Sequence, residues 1–228
     1  MQRSFTPELM DDPALSAEAL SEAHRNIQRI HRWLGNTRAI LRLLESDPEP
    51  VRRVLDIGCG EGALLDRIRE RLAVDGVGVE LRPPPGARVP IVAADATRDR
   101  LPECDVALAV CLAHHLTDGE LGALIRNAGR SARRLIVLDP VRHPLPRALF
   151  RAFVSPWLAP INRVDGPRSV ERSYTVAEMA AVVREAVDED ARVIHTVAPL
   201  NIRQIVDIRY RPKVMSEGST PAVRHQSR

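Results

Sequence analysis

The chain has 228 residues, 44% of them hydrophobic and 28% charged, which is enough to bury the core of one soluble α/β domain. The formal net charge is only +3, the basic residues alternate with acids, and aromatic residues make up 3%, so we expect no nucleic-acid partner. No apolar run approaches the ~18 residues that would span a membrane, and three cysteines without a C-x-x-C pair are typical of reduced thiols, so we expect a cytoplasmic protein without stable membrane insertion.

The first fifty residues are predicted to form a helical lid segment. Residues 1–15 are acidic and interrupted by prolines, which favours a loosely packed lead-in. From Ser16 onward apolar residues recur at helical spacing, and Gly35-Asn36 breaks the pattern, so we predict two helices that pack over a ligand site. Polar residues of a helix are mostly exposed, and we expect solvated positions for His24, His31, Asn36 and Arg38.

A glycine-rich turn follows the first predicted strand. In the stretch 54–62 an apolar run ends at Asp56, and glycines stand at positions 58, 60 and 62 before a helical pattern begins. Without Cβ atoms, this turn lets a ligand lie against bare backbone near the positive end of a helix. The D-x-G-x-G-x-G spacing differs from the G-x-G-x-x-G of dinucleotide-binding proteins, which disfavours a nicotinamide oxidoreductase. A turn without a ligand is the structural alternative.

The next two predicted strands also end in acids. Residues 76–80 end in Glu80, about 20 residues past the glycines, where a carboxylate can accept hydrogen bonds from ribose hydroxyls. The prolines of the stretch 83–86 argue against a long helix after this strand. Residues 89–96 predict a third strand that ends near Asp95. A surface acid is the alternative for Glu80, and a capping acid is the alternative for Asp95.

The fourth predicted strand leads into a pair of histidines. Residues 105–112 form a nearly continuous apolar run, which is typical of a strand covered on both faces. His114 and His115 follow at its carboxyl end, where open parallel sheets bind ligands, and a histidine there can accept a proton at neutral pH. Alternatively, one histidine binds a backbone carbonyl and the other is exposed. No third ligand is visible beside them, so we predict no metal site.

The remainder of the chain completes the sheet. Residues 134–139 predict a fifth strand ending in Asp139, which either faces substrate or belongs to a turn. The insertion 141–174 gathers aromatic residues, and either plugs the end of the sheet or forms a lid over an apolar acceptor pocket. Strands at 192–198 and 202–210 are expected to pair antiparallel, and the tail 212–228 is expected to be disordered.

The glycine turn, together with Glu80 and Asp95, resembles the nucleotide-binding motif of class I S-adenosylmethionine (SAM) methyltransferases. The resemblance covers residues 51–210 and implies a domain at 51–211. Its α/β fold would be a Rossmann-like seven-stranded mixed sheet, mostly parallel with an antiparallel last strand. It also implies SAM as cofactor, with Asp95 at the adenine amino group and Ala96 as the adjoining backbone contact. The implied cofactor-binding set is Asp56, Gly58, Cys59, Gly60, Gly62, Glu80, Leu81, Asp95, Ala96 and Cys111.

Three segments are similar to compact methyltransferases that act on quinols, phenols and polyketide-type lipids: Glu8–Asp12, His114–Leu116 and Val164–Thr175. The resemblance implies methyl transfer from SAM to a hydroxyl of a small apolar, phenolic or quinol acceptor, aromatic or lipid-like, with His114 or His115 as general base. It leaves a homodimer open. Carbon methylation of a quinol or polyketide ring and a non-catalytic SAM-binding protein are the alternatives.

Overall fold

The computed structural model describes residues 1–12, 14–84 and 86–211. The disorder predicted for the tail 212–228 lies outside these residues. Two helices open the fold, α1 (Ala17–Trp33) and α2 (Asn36–Glu45). Ser16 caps α1 by accepting a hydrogen bond from the Ala19 amide, and Gly35 separates the helices with a φ of 70°. The predicted break between two helices is therefore confirmed.

A seven-stranded sheet with the order β3-β2-β1-β4-β5-β7-β6 forms the centre of the protein. The strands are β1 (Arg53–Ile57), β2 (Asp75–Glu80), β3 (Ile91–Ala93), β4 (Cys104–Val110), β5 (Ala132–Asp139), β6 (Arg192–Val197) and β7 (Gln204–Arg209). Strands β1 to β5 are parallel, and β7 runs antiparallel to both β5 and β6. The predicted mixed sheet is confirmed, and its strand order reverses between β1 and β4.

Helices cover both faces of the sheet. They are α3 (Ala63–Leu72), α4 (Asp118–Ser131), α5 (Pro144–Leu149), α6 (Pro160–Arg172) and α7 (Val176–Ala186). Alternate residues of β4 enter different cores, with Val106 packing in the core of α2 and α3, and Ala107 in the core of α4 and α7. This two-sided burial explains the apolar run of β4. Every helix within residues 1–12, 14–84 and 86–211 is too short or too polar to cross a bilayer.

The lead-in, expected to be loosely packed, lies against the rest of the protein. Asp165 of α6 accepts hydrogen bonds from the backbone amides of Leu9 and Met10, at 2.7 and 3.0 Å. Glu8 is only 8% exposed. The expectation was wrong because the partners of this segment are distant in sequence, and a proline-broken acidic stretch carries no local sign of them.

Arg134 of β5 ties the sheet to the segment that precedes β1. Its Nε and Nη2 bind the two carboxylate oxygens of Asp207 at 2.8 and 2.6 Å, and its Nη1 binds Asp47 at 2.7 Å. All three side chains are buried. The bidentate geometry and shared burial make this the main ionic anchor of that edge of the domain.

We expect Arg134→Met to lower the free energy of unfolding by about 3–5 kcal/mol, because the buried Asp207 loses its bidentate partner. Asp47 keeps Arg133 and Arg209. Urea denaturation followed by circular dichroism measures the change. Arg67→Met on the exposed face of α3 removes the same charge and should leave stability nearly unchanged. Equal unfolding midpoints for the two variants would contradict the anchoring role.

Candidate active site

A cavity of about 1090 Å³ opens at the carboxyl edge of β1, β2 and β4, where the strand order reverses. Open α/β sheets bind their ligands at such a point. His114 and His115 line this cavity, as does every predicted cofactor-binding residue except Gly62, namely Asp56, Gly58, Cys59, Gly60, Glu80, Leu81, Asp95, Ala96 and Cys111. The fold therefore gathers at one edge residues that are separated along the chain.

Two glycines of the turn are needed for different reasons, Gly62 for packing within the protein and Gly60 for open space in the cavity. A Cβ at Gly62 would lie 2.3 Å from a methyl of Val89, so this glycine serves close packing and a φ of 78°. At Gly60 the φ is 53°, and a Cβ would meet nothing closer than His24 Nε2 at 3.9 Å. Gly60 thus leaves open space beside the backbone at the cavity wall. Such bare backbone can contact a ligand closely.

Glu80 is oriented by the same turn. Its Oε2 accepts a hydrogen bond from the Gly60 amide at 2.9 Å, and its Oε1 accepts one from the Leu81 amide at 3.1 Å. The carboxylate keeps further lone pairs for ligand hydroxyls. Leu81 is 61% exposed and lines the cavity, so it offers an apolar contact to a ligand there.

Asp56 is a buried acid at the end of β1. Burial raises its pKa to about 7, and repulsion from Glu80 adds to the shift. A carboxylate in such a place is stabilised by a cationic ligand. The cavity wall therefore favours a positively charged group beside Asp56.

Asp95 and Ala96 belong to the loop after β3. Asp95 Oδ1 accepts hydrogen bonds from the Thr97 amide and hydroxyl, at 3.0 and 2.6 Å, and Oδ2 lies 3.2 Å from Arg98 Nε. Hydrogen bonds from Thr97 lower the pKa of Asp95. The residue has the geometry of a capping acid while also lining the cavity, and its predicted contact with adenine stays a prediction.

Cys111 follows β4 in an unusual backbone conformation. Its φ is 54°, in the left-handed region that a residue with a Cβ seldom adopts, and its amide donates to the Leu138 carbonyl at 2.7 Å. Burial raises the pKa of its thiol. The bend at this residue turns the chain from β4 toward the two histidines.

His114 is held between two carboxylates. Its Nδ1 lies 2.9 Å from Asp139 Oδ1, and its Nε2 lies 3.5 Å from Glu8 Oε1. Burial alone would lower the pKa of His114, but Asp139 and Glu8 outweigh it and raise the pKa to about 10. His114 is therefore a cation at neutral pH. Asp139 neither faces substrate nor belongs to a turn: it is the last residue of β5, is fully buried, is not part of the cavity wall, and fixes this imidazole.

His115 has the opposite electrostatic character. Its side chain is 29% exposed, with Nε2 at 4.0 Å from Glu8 Oε2 and Nδ1 at 3.5 Å from Arg172 Nη2. Burial lowers its pKa to about 4, and the charge of His114 contributes, since the two rings lie 4.2 Å apart. His115 is consequently neutral at pH 7 and able to accept a proton.

Sequence reasoning did not name Glu8 as a site residue, but Glu8 lines the cavity beside the two histidines. Its carboxylate and the ring nitrogens of His114 and His115 lie within 4.8 Å of one another. The sequence predicted no metal site because no third ligand was visible beside the two histidines. Glu8 supplies such a potential ligand in the folded protein, so that argument does not hold. Without a metal, the negative charge of Glu8 is already balanced by the positive charge of His114. Burial alone would raise the pKa of Glu8, but His114 outweighs it and lowers this pKa to about 2. The similarity of Glu8–Asp12 to compact methyltransferases was the available signal.

The two N-terminal helices, α1 and α2, contribute more side chains to the cavity wall than expected. His24, His31 and Asn36 line the cavity, whereas Arg38 is exposed as predicted. His24 Nδ1 lies 3.0 Å from Glu61 Oε1. The three residues were expected in solvent because helical spacing alone does not show which polar face a neighbouring element will cover.

The insertion 141–174 closes the far end of the cavity. Leu149, Phe150, Phe153 and Val154 line it, in α5 and the wider helical turn that follows. Phe153 is 69% exposed, so it is no core plug. Of the two sequence interpretations, the lid beside an apolar pocket agrees with this geometry.

Comparison with known proteins places the chain in a family. The methyltransferase domain family matches residues 24–163. Indolepyruvate C-methyltransferase of Streptomyces griseus is 31% identical to this chain over a match that covers 48% of this chain. The match covers only 39% of the length of that protein.

Solved structures share the fold at low sequence identity. The plantazolicin methyltransferase BpumL in complex with S-adenosylhomocysteine (SAH) has a TM-score of 0.65 and 14% identity, over 86% of this chain and 91% of that one. Magnesium protoporphyrin IX methyltransferase of Synechocystis PCC 6803 with bound SAM has a TM-score of 0.51 and 14% identity, over 89% and 88% of the two chains. The chain therefore belongs to the methyltransferase domain family and has the fold of SAM-dependent enzymes.

Proposed function

We propose that this methyltransferase moves the methyl group of SAM to a hydroxyl of a small apolar or phenolic acceptor. The observation that carries the proposal is the neutral His115 beside Glu8, on the wall of one cavity that also contains the glycine turn and the aromatic lid. Polar and acidic groups surround the cofactor end, and apolar side chains surround the other end. A small acceptor with an apolar body and one ionisable hydroxyl suits that division.

The residues at the turn fit SAM. Gly60 leaves room for the ligand, Glu80 offers acceptor oxygens, and Asp56 favours a positive charge. When bound, SAM supplies an electrophilic methyl group on a sulfonium. The protein binds and orients the two reactants and excludes water from them.

SAM affinity should depend on pH through Asp56. Because the pKa of Asp56 is raised to about 7, the group becomes protonated as the pH falls through 7 and loses its attraction for a cation. We expect affinity to fall between pH 7.5 and 5.5, by at most about tenfold per pH unit. Calorimetric titration with SAM measures this dependence, and Asp56→Asn should bind weakly with a flatter profile. An equally steep profile in the variant would assign the effect to another group.

Proton removal from the acceptor falls to His115. In the neutral ring Nδ1 accepts a hydrogen bond from the Arg172 guanidinium at 3.5 Å, so the hydrogen of the ring lies on Nε2, toward Glu8. Nδ1 becomes the basic atom when the acceptor hydroxyl replaces Arg172 at this long contact. After Nδ1 takes the hydroxyl proton, Glu8 stabilises the imidazolium. Even a base of low pKa suffices, since the proton becomes strongly acidic as the new carbon–oxygen bond forms. His114 is less suited because both of its nitrogens already contact carboxylates.

Carbon methylation is the second candidate, supported by the curated relative, whose name gives indolepyruvate as its acceptor. Incubation with methyl-labelled SAM and a panel comprising a phenol, a quinol and an α-keto acid, followed by NMR of the product, separates the two reactions. A methoxy product supports the proposal, and a carbon-bound methyl supports the second candidate. SAH binding without any labelled product would favour the non-catalytic alternative.

A further inference from the structure

Arg203, the residue before β7, brings a guanidinium to the cavity wall without a carboxylate partner. Its Nη1 donates to the Leu34 carbonyl and to Asn36 Oδ1, the latter at 3.3 Å. Its Nε is buried and has no hydrogen-bond partner among residues 1–12, 14–84 and 86–211. Burial, with no compensating negative charge, lowers the pKa of Arg203, although a guanidinium stays charged at neutral pH.

Other arginines with little exposure in this protein are paired. Arg134 binds Asp207, Arg142 binds Glu178, and Arg172 lies 3.6 Å from Asp11. An unpaired charge away from water is costly, and buried charges are normally paired. The environment of Arg203 therefore favours an anionic ligand that enters the cavity and pairs with its guanidinium.

A second donor is linked to the same guanidinium. Because Asn36 Oδ1 accepts from Arg203, its amide nitrogen is the atom that lies 3.1 Å from His31 Nδ1 and donates to it. The hydrogen of the neutral His31 ring consequently resides on Nε2. His31 also lines the cavity, so it adds a neutral donor to the wall near Arg203.

We infer that Arg203, positioned by Asn36 and assisted by His31, is a carboxylate-binding site in this cavity, for an acid group of the acceptor or for the α-carboxylate of SAM. Nη1 is held by Leu34 and Asn36, and Nε is enclosed by protein, so among the described residues Nη2 is the donor left for a carboxylate oxygen. Besides the exposed Arg82 at the rim, the wall carries several acids, including Glu8, Asp56 and Glu80, which would repel an anion. The inference rests on the proposed function of the cavity.

The test compares the wild type with Arg203→Gln. Arg192→Gln is the matched control, because it also removes one positive charge, but at an exposed position on β6. Calorimetry measures the binding of SAH and of 5′-methylthioadenosine, which lacks the amino-acid carboxylate. It then measures the binding of benzoate and its neutral isostere benzamide to the SAH-saturated protein. We expect Arg203→Gln to weaken either SAH or benzoate by about 10- to 100-fold, the range for a hydrogen bond to a charged group.

The two carboxylate sources give different results. Loss of SAH affinity with unchanged methylthioadenosine affinity identifies the cofactor, whereas selective loss of benzoate over benzamide identifies an acidic acceptor. Arg203→Lys, which keeps the charge but not the planar guanidinium, should lie in between and replaces the glutamine variant if that one does not fold. Unchanged affinity for both ligands would overturn the inference, while intact SAH binding would leave the proposed function standing.

Discussion

His115→Gln is expected to lower turnover by about 10²–10⁴-fold, the usual contribution of a general base, while SAH affinity stays unchanged. The imidazole lies on the cavity wall beside Glu8, apart from the turn that we expect to hold the cofactor. Single-turnover methyl transfer from labelled SAM measures the rate, and calorimetry measures SAH binding. Loss of rate without loss of cofactor affinity is the signature of a group that acts on the acceptor.

His195→Gln is the matched control for this substitution. His195 lies on β6 outside the cavity, with Nε2 at 3.0 Å from Gln204 Oε1, so its replacement should leave turnover unchanged. At saturating SAM, which removes the pH dependence of cofactor affinity, the wild-type rate should also be flat across neutral pH. It should fall only as the pH drops toward 4, where His115 becomes protonated and can accept no further proton. Parent-like turnover in His115→Gln would remove His115 as the base.

Gly60→Ala is expected to weaken SAH binding by about 5- to 150-fold, since an added methyl in a well-filled site costs about 1–3 kcal/mol. The new Cβ would meet no protein atom closer than 3.9 Å, so the fold has room for it. The methyl would instead stand in the space that we assign to the cofactor. Calorimetry with SAH gives the affinity, and thermal unfolding without ligand gives the stability.

Gly86→Ala separates ligand exclusion from backbone strain. Gly86 has a φ of 79°, its added Cβ would also meet open space, and it does not line the cavity. Both alanines adopt a left-handed conformation that costs about 1–2 kcal/mol. Both variants should therefore lose similar stability, whereas only Gly60→Ala loses SAH affinity. Equal SAH affinity in the two variants would mean that the turn does not contact the cofactor.

The sequence by itself determined the elements whose signals are local. The apolar run of β4 and the Gly35 break appear in the structure because burial and backbone conformation act within a few residues. The carboxyl ends of parallel strands necessarily share an edge, so Asp56 and Glu80 could be placed together without coordinates.

Only the tertiary structure decided which polar groups meet across that edge. Glu8 reaches His114 from near the start of the chain, and Asp139 binds the other nitrogen of the same ring. These contacts make His114 a cation and leave His115 neutral, a difference that two adjacent histidines do not reveal in a sequence. Arg203 likewise meets Asn36 through packing of α2 near the start of β7. Charge state and partner depend on burial and on distances of a few ångströms, and only the folded chain sets both.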